Sequence, residues 1–226
     1  MKPENKHGEL TTTQLVTIII LIVSFVIILF LLFRLDLGGT TDKEICRNSV
    51  VLLEKSIIGG SLDCRTNYVT ISTENKEEIM KSIAEEMSTC WWQFGDGKIN
   101  YGTPQGSSVK YALCSVIEFD EKTQEKVSEI SYLELYNFLS TENKSNSQTY
   151  LQYLYGIREI GSFIPQEQVK VIIGQDKILT NEKYSVVTGI DDNISPFPDE
   201  FLKVYIIPTA ETSSRLETKR EFLTKA

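Results

Sequence analysis

Residues 15–33 read LVTIIILIVSFVIILFLLF, 19 positions without a charged side chain, and Thr17 and Ser24 are the only polar residues among them. A helix of this stretch is apolar all round instead of carrying one stripe, which is the pattern of a segment surrounded by hydrocarbon. At about 1.5 Å per residue it spans roughly 28 Å, close to the ~30 Å apolar thickness of a bilayer. A cleaved secretory signal has an apolar region of about 7 to 15 residues followed by a small-x-small site. Here the run is longer, and Arg34, Leu35, Asp36 and Leu37 follow it. The expectation is a retained signal-anchor, one transmembrane helix in contact with the lipid bilayer along residues 15–33. It divides the chain into a short cytoplasmic tail (1–14), the anchor (15–33), a hinge (34–41) that breaks at Gly38 and Gly39, a folded domain (42–208, with a sub-boundary near 140–166) and a C-terminal tail (209–226).

Beyond the hinge the hydrophobic period alternates between helix and strand. Thr41 and Glu44 form a capping-box pattern, after which Cys46, Val50, Leu53 and Ile57 fall on one helical stripe ended by Gly59-Gly60. A short strand is predicted over 68–71. Asn75 then caps the clearest soluble helix, with Ile79, Ile83, Met87, Cys90 and Phe94 on one face and Gly95 as its stop. Residues 110–119 alternate as a strand, Tyr111, Leu113, Ser115, Ile117 and Phe119 pointing one way and Ala112, Cys114, Val116 and Glu118 the other. Ser131 with Glu134 predicts a capped helix over 132–139 with Ile130 stapled to Leu135, residues 140–148 read as a polar connector, and 150–155 as a helix. Strands are expected over 169–173, 183–190 and 202–207, separated by turns such as Gly174-Gln175-Asp176, and 211–226 as a docked helix or a tail. The fold class is therefore α+β: a single N-terminal transmembrane helix, then one disulfide-stabilised mixed domain with an antiparallel-rich sheet.

Charge narrows the partner, and the cysteines set the sidedness, because the bases flanking the apolar run (Lys2 and Lys6 before it, Arg34 after it) are nearly balanced. The net charge is −8, which argues against nucleic acid as partner. Cys46, Cys64, Cys90 and Cys114 all follow the apolar run. An even set confined to one side fits disulfides in an oxidising compartment, with the N-terminus cytoplasmic and the main domain outside the cell membrane. Four cysteines allow three pairings. If the strand at Tyr68 runs back along the first soluble helix and the next helix runs back along that strand, Cys64 and Cys90 meet at one end, which favours Cys64–Cys90 with Cys46–Cys114.

Candidate chemistry is sparse. The only histidine, His7, precedes the apolar run, so the main domain has no imidazole for a Ser-His-Asp, Cys-His or His-zinc mechanism. The cysteines stand 18, 26 and 24 residues apart, unlike the close pairs of zinc sites. No cofactor is expected. The densest aromatic cluster, Cys90-Trp91-Trp92-Gln93-Phe94-Gly95-Asp96-Gly97-Lys98, offers Trp91, Trp92, Asp96 and Lys98 as candidate partner-binding residues, against the alternative of core packing at a helix end. Asn143-Lys144-Ser145 and Asn193-Ile194-Ser195 match the glycosylation acceptor pattern.

The pieces GELTTTQLVTIIILIVSFVIILFLLFRL, KEICRNSVV, LDCRTNYV, CWWQFGDGKINY and EFLTKA together resemble an uncharacterised family of single-pass membrane-anchored archaeal proteins with a CWWQFG-type motif. The resemblance implies an outward-facing domain and carries no activity. The start, Lys6-His7-Gly8-Glu9-Leu10 before the apolar run, is similar to an archaeal prepilin, in which processing between Gly8 and Glu9 would free the helix for filament packing. The functional expectation is a non-catalytic, membrane-anchored extracytoplasmic binding or scaffolding protein of the cell envelope, with a protein partner there. The alternatives are a type IV pilin-like subunit processed after Gly8 and a His-independent, carboxylate-based surface enzyme.

Overall fold

A computed structural model describes residues 12–34, 38–55, 62–99, 101, 109–158, 176–191, 200–210, 212 and 221–222, with side chains throughout except at 12–13, 28–34, 38–41, 109–110, 190–191, 200–203 and 221–222. The chain forms two compact units, Met1–Thr41 and Asp42–Ala226.

The first unit holds helix α1 (Thr12–Arg34). Its apolar side chains between Leu15 and Ile27 are 46 to 64% exposed on every side, as an all-round apolar sequence dictates when no partner covers it. Among the described residues no helix is long and apolar enough to cross a membrane, and the described side chains of α1 stop at Ile27. Helix α2 (Gly38–Lys55) starts at the glycine pair that was expected to break the chain, three residues before the Thr41 pattern. Its expected stop at Gly59-Gly60 lies outside the described residues.

The second unit is mixed α+β. In chain order it continues with β1 (Asn67–Ile71), α3 (Lys76–Gln93), a 3-10 turn at Gly95–Gly97, β2 (Val109–Phe119), α4 (Glu121–Lys126), β3 (Glu129–Ser131) and α5 (Tyr132–Thr141). There follow β4 (Asn143–Ser145), β5 (Gln148–Thr149), α6 (Tyr150–Tyr155), β6 (Lys177–Leu179), β7 (Tyr184–Asp191), β8 (Glu200–Pro208) and β9 (Glu221–Phe222). Strands β1 and β2 are parallel and joined through α3, whereas β2–β7 and β7–β8 are antiparallel, giving the order β1-β2-β7-β8. The short β9 runs parallel to β2 at Lys110 and Tyr111, on the side that β1 takes from Ser115 onward. Residues 140–148, expected as a connector, contain the β4–β5 hairpin instead. The expected strand over 169–173 lies outside the described residues.

Local chemistry explains most helix limits. Asn75 accepts from the Glu77 amide to cap α3, Ser131 and Glu134 complete both bonds of a capping box on α5, and Thr149 with Gln152 does the same on α6. The inner stripe of α3 (Ile79, Ile83, Met87, Cys90) is at most 1% exposed and packs over β2, β7 and β8 and against α5 and α6.

The two disulfides join Cys46 to Cys64 and Cys90 to Cys114, which corrects the expected Cys64–Cys90 and Cys46–Cys114. Register is the cause. Parallel pairing sets Asn67 opposite Ser115, so Cys114 is level with the start of β1, where the end of α3 also returns. A β-bulge then decides which face of β2 Cys114 joins: Leu113 pairs with Val187 and Ser115 with Val186, leaving Cys114 as the extra residue. Simple alternation is broken there, and Ala112 and Cys114 before the bulge share the core with Ile117 and Phe119 after it. Cys114 takes Cys90, and Cys64 is left for Cys46 on α2.

Tyrosines from the helices tie down β8. Tyr155 donates to the Val204 carbonyl at 2.7 Å and Tyr132 to the Ile206 carbonyl at 3.2 Å, while Tyr136 and Tyr155 oppose hydroxyls at 3.4 Å. Burial pushes the Tyr136 phenol up to about 12 and the Tyr155 phenol well above its usual range. Both are neutral in the fold, whereas the unfolded phenols ionise from about pH 10. Their stabilisation is complete below about pH 10 and falls above it, for Tyr136 by up to about 1.4 kcal/mol per pH unit until about pH 12. Urea midpoints are therefore expected to drop steeply above about pH 10, and Tyr136→Phe to flatten that drop.

Candidate functional site

The aromatic segment at the end of α3 turns on three consecutive residues in the left-handed region: Gly95 (φ 85°), Asp96 (φ 58°) and Gly97 (φ 68°). Two glycines make this affordable, and Asp is among the few side chains that tolerate it. There is also no room for side chains at the flanks. A Cβ at residue 95 would lie 2.5 Å from the Cβ of Ile99, and one at residue 97 would lie 2.7 Å from a ring carbon of Trp91. Phe94 packs edge-on against Tyr101 with ring centroids 5.3 Å apart. The turn thus folds back beneath the helix end and presents Asp96.

Asp96 is gripped from two elements. Arg47 on α2 reaches its Oδ2 with both terminal guanidinium nitrogens, at 3.3 and 3.2 Å, and Tyr153 on α6 donates its hydroxyl to Oδ1. The same guanidinium lies 4.6 Å from the ring centroid of Trp92 and donates to the Trp92 carbonyl. Lys144 on β4 sits 4.2 Å over the ring of Tyr153. The result is one line of contacts, Trp92–Arg47–Asp96–Tyr153–Lys144, that clamps three separate parts of the chain. Burial, and then the Asp96 carboxylate that accepts its hydrogen, raise the Tyr153 phenol far above its usual range. It stays protonated as the donor to Asp96.

Of the four candidate binding residues, Trp91 is corrected: it is 5% exposed, with its ring against Gly97, and belongs to the core. Asp96 is occupied by Arg47 and Tyr153. Trp92 is half-buried under the guanidinium, and Lys98 is exposed. Arg47, Tyr153 and Lys144 complete the cluster without a local motif to mark them. Arg47 is signalled only by following the core residue Cys46, and Tyr153 only as the tyrosine of YLQYLY that is offset from the buried Tyr150, Leu151, Leu154 and Tyr155. Gly8 and Glu9 lie outside the described residues.

The cluster pairs each of its charges with an opposite charge or an aromatic face, and so ties α2, the end of α3 and the β4–α6 segment to one another. Among the described residues no group of three His, Cys, Asp or Glu side chains is placed to hold a metal ion. No family model, curated protein or solved structure matches this chain.

Proposed function

We propose that the protein is a membrane-anchored extracytoplasmic binding or scaffolding component of the cell envelope, non-catalytic, which meets a protein partner at the rim of the Trp92–Arg47–Asp96 cluster. One observation carries the reading: every cysteine lies in the unit Asp42–Ala226 and all four are disulfide-bonded, while the uncharged run at 15–33 precedes them. Buried disulfides suit an oxidising compartment, and a 19-residue uncharged segment suits a bilayer. Carbonate extraction and protease shaving of intact cells test the placement. The full chain is expected to stay with the membrane, and shaving to release a fragment that begins near residue 42 and holds both disulfides. A chain that washes off, or a domain protected in intact cells, ends the reading. A photo-crosslinker at Lys98 is expected to give a discrete adduct in native membranes that the same group at Lys122, on the exposed side of α4, does not.

The exposed apolar circumference of α1 also suits a helix packed against copies of itself, which is the pilin-like alternative. Intact mass decides between them, since loss of residues 1–8 favours the pilin-like subunit and an unprocessed N-terminus the anchor.

A further inference from the structure

Asn143-Lys144-Ser145 is an acceptor pattern for N-linked glycan, and such a triplet is used only where it is exposed on an outward-facing domain. The fold meets the first requirement. All three residues are β4, an exposed strand of the β4–β5 hairpin, which continues through the exposed Asn146 and Ser147. The pairing shifts between Asn143 and Ser145, so the strand is bulged at the middle of the triplet. Lys144 is drawn onto the ring of Tyr153 at 4.2 Å. The side chains of Asn143 and Ser145 have no partner among the described residues.

We propose that Asn143 is an N-glycosylation site, an inference that rests on the outward placement of the domain given above. The donor is an oligosaccharide carried on a lipid phosphate. The Asn143 amide nitrogen forms a bond to the anomeric carbon, the bond from that carbon to the phosphate oxygen breaks, and the lipid phosphate leaves with the bonding electron pair. The amide gives up one proton to a base of the transferring enzyme, and no oxidant or reductant is involved. The hairpin accepts this because neither Asn143 nor Ser145 must leave a packed position. The sugar would also have a definite neighbourhood. Lys144 touches Tyr153, and Tyr153 holds Asp96, so the glycan stands beside the Lys144 end of the cluster and leaves the Trp92 and Lys98 end open for a protein partner.

The test is translation of the full chain into glycosylating microsomes, with protease protection read on the same samples. The expected result is an increment removed by endoglycosidase and lost in Asn143→Gln and in Ser145→Ala. The second triplet, at Asn193, is separated by Asn193→Gln, which is expected to leave the Asn143 increment in place. A domain that is protease-protected, and therefore translocated, but unmodified at Asn143 overturns the glycosylation inference alone. A domain digested from outside the microsomes overturns the outward placement and this inference with it.

Discussion

Replacing Gly97 with alanine is expected to destabilise the folded domain by about 2–5 kcal/mol. Two costs add. An L-residue held at φ 68° is in the left-handed region, which disfavours a Cβ by roughly 1–2 kcal/mol. The new Cβ would also stand 2.7 and 2.9 Å from two ring carbons of Trp91, a buried side chain that cannot swing away into solvent, and overpacking of this kind costs about 1–3 kcal/mol. Gly156 supplies the control, because its φ is 74° and a Cβ there meets nothing within 4 Å. Gly156→Ala should therefore show the backbone cost alone, about 1–2 kcal/mol. Urea unfolding followed by tryptophan fluorescence reads both variants, since the only two tryptophans, Trp91 and Trp92, are at the turn. Equal losses in the two variants would mean that the Trp91 ring yields, and that the packing under the Gly-Asp-Gly turn is loose.

Much of what depends on a few neighbouring residues was legible in the chain, although Gly38-Gly39 and the Thr41–Glu44 pattern lie inside α2 instead of breaking the chain and starting the helix. The Asn75 cap, the Ser131–Glu134 box with Ile130 and Leu135 both buried behind it, and the stop at Gly95 are written within one turn of helix, and each forms as read. Features that need two distant segments at once were not. Parallel pairing of β1 with β2 depends on α3 crossing between them, and nothing within either strand marks its direction. The bulge at Cys114 is invisible in an apolar alternation that is otherwise regular, yet it moves Ala112 and Cys114 to the core side and thereby decides the disulfides. Strands β3 and β6 are three residues each, too short for a period to emerge. At the candidate site, Asp96 was visible only as one candidate of the aromatic segment, and its grip by Arg47 and Tyr153 joins positions 49 and 57 residues away.

Removing the Cys90–Cys114 bridge as the double change Cys90→Ala with Cys114→Ala should lower global stability by about 3–5 kcal/mol. The bridge closes a loop across a separation of 24 residues, for which chain entropy alone gives about 3.5 kcal/mol. The small volumes left by two sulfurs in a site no more than 5% exposed add to it. Cys46–Cys64, across 18 residues, has nearly the same entropic value, so loop length does not distinguish the two. Position does. Cys90 and Cys114 tie the central helix to the central strand, whose packing is common to the entire sheet, whereas Cys46 and Cys64 hold α2 beside the start of β1. Beyond that bridge α2 is held by Val50 in the core, the Arg47 contacts and a 4.0 Å ion pair from Lys43 to Glu86. Loss of Cys46–Cys64 is therefore expected to release α2 locally. Trp92 fluorescence would change and amide exchange in α2 would accelerate, with a smaller shift in the urea midpoint of the sheet. If the two double variants instead lose stability equally and cooperatively, α2 is an integral part of the folding unit, and the surface beside Trp92 is as rigid as the core beneath it.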